Sequence, residues 1–176
     1  HLVGNDTGAG ICQVLASTNH ERLLSLTLTN CEVHDLWPNE LLKSFYDGLA
    51  SGEFGESVKA MVADPILAAS GLGALVYEDA SKFDAEAVDV CLTPLTSSAE
   101  RLRLFQSLAD WPTNRAQLME ARKGLESLAA PTQIIWGMAD PVFEANSSIA
   151  WLEQHLPNHT GTIRLEGKKL FFPHEN

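Results

Sequence analysis

Positive charge is scarce in this 176-residue sequence: 12 lysines and arginines stand against 23 aspartates and glutamates, a net charge of -11. Phosphate backbones are bound by clustered cations. No basic cluster here is denser than Lys168-Lys169, so nucleic acid is excluded as a partner. Long apolar runs are missing as well. None approaches the ~20 residues a membrane helix needs, and no charged-then-apolar leader opens the chain. The expected setting is therefore cytoplasmic, with no membrane partner. Cysteine is rare and odd in number, with Cys12, Cys31 and Cys91 at unpatterned spacings. That fits reduced thiols better than a disulfide framework or a metal site, so neither metal nor cofactor is expected. Three Asn-x-Ser/Thr triplets, starting at Asn5, Asn146 and Asn158, read as chance without a leader. What remains is 45% hydrophobic and 20% charged, the composition of an ordinary globular protein.

Both ends of the chain alternate strand and helix patterns. Leu2-Val3 reads as the end of a strand, and Gly4-Asn5-Asp6-Thr7-Gly8 as a tight turn. Ile11, Val14 and Leu15 recur at helical spacing, with Cys12 on the same face. Leu24 to Thr29 then alternates with period two, as a strand does. Strand, helix and strand with short links predict a parallel βαβ unit. The same logic returns at Pro131, with a strand over 132–136, a helix near 148–152 and a last strand near 162–166. The opening directly on His1-Leu2-Val3, without a methionine, leads to the expectation of a fragment.

Between Trp37-Pro38 and Ala130 the pattern is helical throughout. The apolar faces are Leu41, Leu42, Phe45 and Leu49, then Val58, Met61 and Val62. Ala87, Val88 and Cys91 follow behind an Asp84 cap, then Leu102, Leu104, Phe105 and Leu108, and last Leu118, Met119 and Leu125. The Ala- and Gly-rich stretch from Ala68 to Ala74 reads as a linker. An α/β frame interrupted by such a segment reads as one carrying an inserted lid. Phe45, Met61 and Phe105 are expected to line a hydrophobic pocket for a small uncharged molecule.

The turn at residues 4–8 carries the chemistry. A residue on a sharp strand-to-helix turn is strained, and its neighbours must be small because the two backbones nearly touch. The helix N-terminus also offers a backbone N–H, that of Thr7, to a developing oxyanion. The central residue is Asp6, and a carboxylate can attack a saturated carbon bearing a leaving group, giving an alkyl ester. The same aspartate equally suits a turn-forming helix cap. A nucleotide-binding reading of Gly8-Ala9-Gly10 fails because Gln13 stands at the third glycine position.

Val3-Gly4-Asn5-Asp6-Thr7-Gly8, the strand into Leu28-Thr29-Asn30-Cys31, and Ile135 to Phe143 together resemble the α/β-hydrolase superfamily. The closest branch is that of haloalkane dehalogenases and epoxide hydrolases. The resemblance implies the C-terminal half of that fold, a parallel sheet with flanking helices. Residues 1–36 and 131–176 would be the core and 37–130 an inserted helical cap. Without the earlier strands, the first strand would keep an unpaired edge, an aggregation risk. The resemblance makes Asp6 the nucleophile, the Thr7 N–H an oxyanion donor and Asp140 the acid that orients a histidine. Glu32 and Asp35 are runner-up acids.

The histidine position holds Leu170, and His174, four residues on, is the candidate to supply the imidazole. The resemblance also brings forward Trp37 for a leaving halide, and Tyr46 and Tyr77 as proton donors to an opening epoxide. The implied function is hydrolysis of a small apolar haloalkane or epoxide, with only a small molecule as partner and the oligomeric state open. The alternative is a non-catalytic descendant or fragment that keeps the fold and a small-molecule pocket, with little or no turnover.

Overall fold

The structure is a computed structural model and describes residues 1–175, with the side chain of His20 outside the described residues. Four strands, β1 Leu2–Asn5, β2 Leu26–Thr29, β3 Thr132–Gly137 and β4 His159–Leu165, form one sheet in the order β1-β2-β3-β4. Every neighbouring pair is parallel. Parallel neighbours need a crossover. Helix α1, Thr7–Thr18, supplies the first, and a helix over Ala145–His155 supplies the last. Leu28 on β2 faces Ile134 on β3 in register, and both are fully buried. Leu26 and Trp136 extend the same buried face, so the period-two reading of these strands holds. The outer edge of β1 has no strand partner among the described residues, and Val3 is 72% exposed there.

No strand occurs between β2 and β3 among the described residues. The chain there runs through α2 Glu40–Ser51, α3 Glu53–Ala63, α4 Pro65–Ala68 and α5 Ala74–Val76. It continues through α6 Ala85–Cys91, α7 Thr93–Thr96, α8 Ala99–Gln106 and α9 Trp111–Leu125. The Ala145–His155 crossover is α10, and Phe172–Glu175 forms α11. The cap expected at Asp84 is present, its carboxylate accepting the N–H groups of Glu86 and Ala87 at 3.0 and 3.1 Å. Among the described residues, no helix is long and apolar enough to cross a membrane.

Several expected faces turn out differently, for packing reasons. The buried side of α1 is Ala9, Cys12, Gln13 and Ala16, while Ile11 and Leu15 are 56% and 44% exposed. Helix α1 is wedged between β1 and α9, and large side chains cannot enter. A Cβ on Gly4 would lie 2.5 Å from the Ala9 Cα, and one on Gly124 would lie 2.1 Å from the Ser17 carbonyl oxygen. The expected linker at 68–74 is helical, with a π turn over Ala69–Gly73 joining α4 to α5. Its small residues serve contact rather than freedom: Ala68 is fully buried, and a Cβ on Gly73 would come 2.8 Å from Phe83. Cys91 is exposed rather than internal, because α6 buries Ala87 and Val88 instead.

The contact of Gly124 on Ser17 joins the helical segment to the frame and is testable. Gly124→Ala is expected to cost about 1–3 kcal/mol through overpacking, read as a lower urea midpoint. Gly8→Ala, where no heavy atom lies within 4 Å of the added carbon, is expected to leave the midpoint unchanged or raised. Equal midpoints for Gly124→Ala and the parent would contradict the backbone contact.

Candidate functional site

The turn from β1 into α1 puts Asp6 in a positive-φ conformation, φ 54° and ψ -138°. A non-glycine residue in such a region costs on the order of 1–3 kcal/mol. The turn is fixed from both sides. The Asp6 N–H donates to the Asn30 carbonyl at 2.8 Å, and the Asp6 carbonyl accepts from Ala9 at 2.9 Å. An aspartate at a helix start ordinarily spends its carboxylate on the first free N–H groups. Asp6 does not: its side chain makes no cap hydrogen bond. The carboxyl lies instead on the wall of a cavity of about 1070 Å³. Burial raises its pKa to about 6, the Thr7 backbone N–H pulls it down, and the charge of Asp140 pushes it up.

Asp140 follows β3 and is buried, with both carboxyl oxygens occupied. One accepts from the Asn30 side-chain amide at 2.7 Å, the other from the Val142 N–H at 2.8 Å. Burial raises its pKa while these bonds oppose the rise. Asn30 also binds both backbone groups of Gly137, accepting its N–H at 2.7 Å and donating to its carbonyl at 3.0 Å. Asp6 and Asp140, 134 positions apart in sequence, thus come close enough for the charge of one to act on the other.

Glu32 stands on the same cavity wall as Asp6. The Thr7 hydroxyl donates to its Oε1 at 2.9 Å, and the Gln13 amide donates to its carbonyl at 2.8 Å. Its Oε2 is buried without a hydrogen-bond partner. Burial and the neighbouring Asp6 charge push the Glu32 pKa up to about 7. Asp35, the other runner-up acid, is exposed and paired with its neighbour His34 at 2.9 Å.

His174 does not join this group. It is exposed on α11, outside the cavity wall, and its Nδ1 meets the Tyr77 hydroxyl at 2.5 Å. Leu170 is buried and lines the cavity with Phe171. The loop that carries them is pressed onto β3, since a Cβ on Gly137 would lie 2.6 Å from the Lys168 carbonyl oxygen. Of the expected lid side chains, Phe45, Phe105 and Tyr46 line the cavity, whereas Met61 is buried outside its wall and Tyr77 is bound to His174. Trp37 is also on the wall, edge-on to Tyr46, with its buried indole N–H near the Tyr46 hydroxyl. Among the described residues, no lysine, arginine or histidine lines the cavity. Among the described residues, no group of three His, Cys, Asp or Glu is arranged to hold a metal ion.

Two features escaped the sequence reading. The Asn30 clasp has no local signal, as its partners lie 107 and 110 positions away. The stripe Thr7, Gly10, Gln13 does have one. Its spacing of three puts these residues on one face of α1, and all of them attend to Glu32.

No protein-family model matches the chain, and no curated protein matches it. Solved structures do. A meta-cleavage product hydrolase from Pseudomonas fluorescens IP01 is 20% identical, with a TM-score of 0.73 over 99% of this chain and 59% of that one. The 2-hydroxy-6-oxo-6-phenylhexa-2,4-dienoate hydrolase from Rhodococcus sp. strain RHA1 is 18% identical, with a TM-score of 0.67 over 97% and 57%. An alpha/beta hydrolase from a Medee basin deep-sea metagenome library is 17% identical, with a TM-score of 0.56 over 98% and 58%. The chain therefore carries part of the α/β-hydrolase fold, spanning under two thirds of these neighbours' length. None of the three names a haloalkane dehalogenase or an epoxide hydrolase, so the narrower branch does not rest on them.

The buried acids set the pH dependence of stability. Both folded values, about 6 for Asp6 and about 7 for Glu32, lie above the ordinary 3.8 and 4.5. Between roughly pH 4 and 7 the folded state then holds more protons than the unfolded one, so stability falls as pH rises through that window. The chain is expected to be more stable at pH 5 than at pH 8, by roughly 1–3 kcal/mol for one such group. Urea unfolding with Glu32→Gln should show a shallower fall. A parent chain as stable at pH 8 as at pH 5 would contradict this burial cost.

Proposed function

We propose that this chain carries the nucleophile of a hydrolase, with Asp6 attacking a saturated carbon of a small apolar haloalkane or epoxide. The observation that carries the reading is a carboxylate held at a strained turn, unused as a cap, on the wall of a largely apolar cavity. Attack by a carboxylate on an alkyl carbon gives an ester, which water can cleave at the aspartyl carbonyl. Attack on an ordinary ester would give a less stable anhydride, which is why a saturated carbon suits an aspartate. The Thr7 backbone N–H suits the developing oxyanion of the second step. Asp140 has no imidazole to orient and serves to hold the turn's surroundings.

The cavity also selects by charge. Asp6 and Glu32 are the acids on its wall, and no cation there could receive an anionic substrate. The Rhodococcus neighbour is named for a dienoate; a carboxylate of that kind would face two acids here without a cation to offset them. The indole N–H of Trp37 on the cavity wall suits a departing halide. Tyr46 suits an opening epoxide oxygen, since burial keeps its hydroxyl protonated. Residues 37–130 would act as the cap over this chemistry.

A second reading has a specific observation behind it. Leu170 fills the position of the expected histidine and His174 is bound to Tyr77, which favours a descendant that binds a small molecule without turning it over. Both readings are served by one experiment. After incubation with 1-bromohexane, peptide mass spectrometry is expected to find one hexyl group on Asp6 of the parent and none on Asp6→Asn. An unmodified Asp6 under conditions that alkylate the parent elsewhere would end the nucleophile reading.

A further inference from the structure

The first turns of α1 are arranged around Glu32 rather than around Asp6 alone. Thr7 donates its hydroxyl to Oε1, Gln13 fixes the Glu32 carbonyl, and Gly10 leaves room for the carboxyl. A Cβ on Gly10 would come 2.9 Å from Oε2. Glu32 is thus packed beside the helix that Asp6 begins, on the wall of the same cavity. Yet Oε2 makes no hydrogen bond. A buried carboxyl oxygen without a hydrogen-bond donor costs stability. Asp140 makes the contrast, because each of its oxygens has a donor.

Elimination sharpens the point. Among the described residues, no histidine lines the cavity. Cys91, exposed on one side, and buried Tyr46 do, but loss of hydration pushes both away from ionisation. Beyond the attacking group itself, the wall offers one side chain able to take a proton near neutral pH.

We propose that Glu32 is the general base of this site, taking the proton of the water that opens the Asp6 ester. The proposal rests on the alkyl-ester reading above. In the first step the Asp6 carboxylate forms a C–O bond to the alkyl carbon and halide leaves with the bonding pair. In the second, water adds to the aspartyl carbonyl and gives one proton to the Glu32 carboxylate. The tetrahedral intermediate then expels the alkoxide, which recovers that proton from Glu32 and leaves as the alcohol. Asp6 loses its own proton to solvent, so haloalkane and water become alcohol, halide and a proton. The titratable groups acting with Glu32 are Asp6, Tyr46 and Cys31. Esterification cancels the Asp6 charge that opposes Glu32 ionisation, so the base becomes available at the step that uses it.

The test follows the hexyl adduct on Asp6 in the full chain, formed with 1-bromohexane and then chased without it. Glu32→Gln keeps an acceptor for Thr7 and removes the base. It is expected to alkylate as the parent does but to lose the adduct about a hundredfold more slowly. Loss from the parent is expected to quicken with pH as Glu32 ionises and then level off, while the variant stays flat. If Glu32→Gln fails to fold, the parent's pH profile alone decides, and a flat profile from pH 5 to 8 overturns the assignment. Equal loss rates in parent and variant, or a parent adduct that never decays, also overturn it while leaving Asp6 as nucleophile. Absence of any adduct on Asp6 overturns the underlying reading instead, and this one with it.

Discussion

Asn30 holds the ends of three parallel strands in one arrangement. Its carbonyl receives the Asp6 N–H after β1, and its side chain binds Gly137 at the end of β3 and the Asp140 carboxylate beyond it. All these groups are buried, where an unmade hydrogen bond costs about 1–3 kcal/mol each. The strained turn at Asp6 is therefore not free to relax by itself. Relaxing it would break the bond to Asn30 and disturb the loop that carries Asp140. The positions of the acids are set by amide hydrogen bonds rather than by ion pairs, which suits a site without cations.

That absence of cations shapes the electrostatics. Asp6, Glu32 and Asp140 lie near one another, and each is shifted toward its neutral form, chiefly by burial. A fold maximising stability would place a lysine or an arginine here, or remove an acid. Keeping both the strain at Asp6 and the uncompensated carboxyls costs stability locally. Sites that retain such costs are where function is ordinarily found. The surrounding wall of Leu, Phe, Tyr and Trp side chains raises the cost further by lowering the local dielectric.

Much of this was legible from local pattern. Period-two alternation and short links gave the four strands and their parallel order, because both signals are confined to a few residues. The cap at Asp84 was legible for the same reason. What failed depended on distant partners. The buried face of α1 is chosen by its squeeze between β1 and Gly124, not by its own periodicity. The stretch at 68–74 has the composition of a linker, but small residues equally permit close packing, and only Phe83 distinguishes the two. His174 is taken by Tyr77, 97 positions away. Asp6 was found because strand, turn and helix meet within a few residues. Glu32 was noticed only as a substitute acid, since the helix face that holds it lies 19 to 25 positions upstream.

The open flank of β1 has a geometric consequence. A strand edge is a polar rail of alternating donors and acceptors, and its direction is fixed. A segment that adds to it in the parallel sense must end at the same rim of the sheet as Asn5 and Asp6. Whatever connection leaves that added strand would then overhang the aspartate from the side opposite Asp140. The sense in which a segment pairs with this edge thus decides which of its ends comes to the reacting carboxyl.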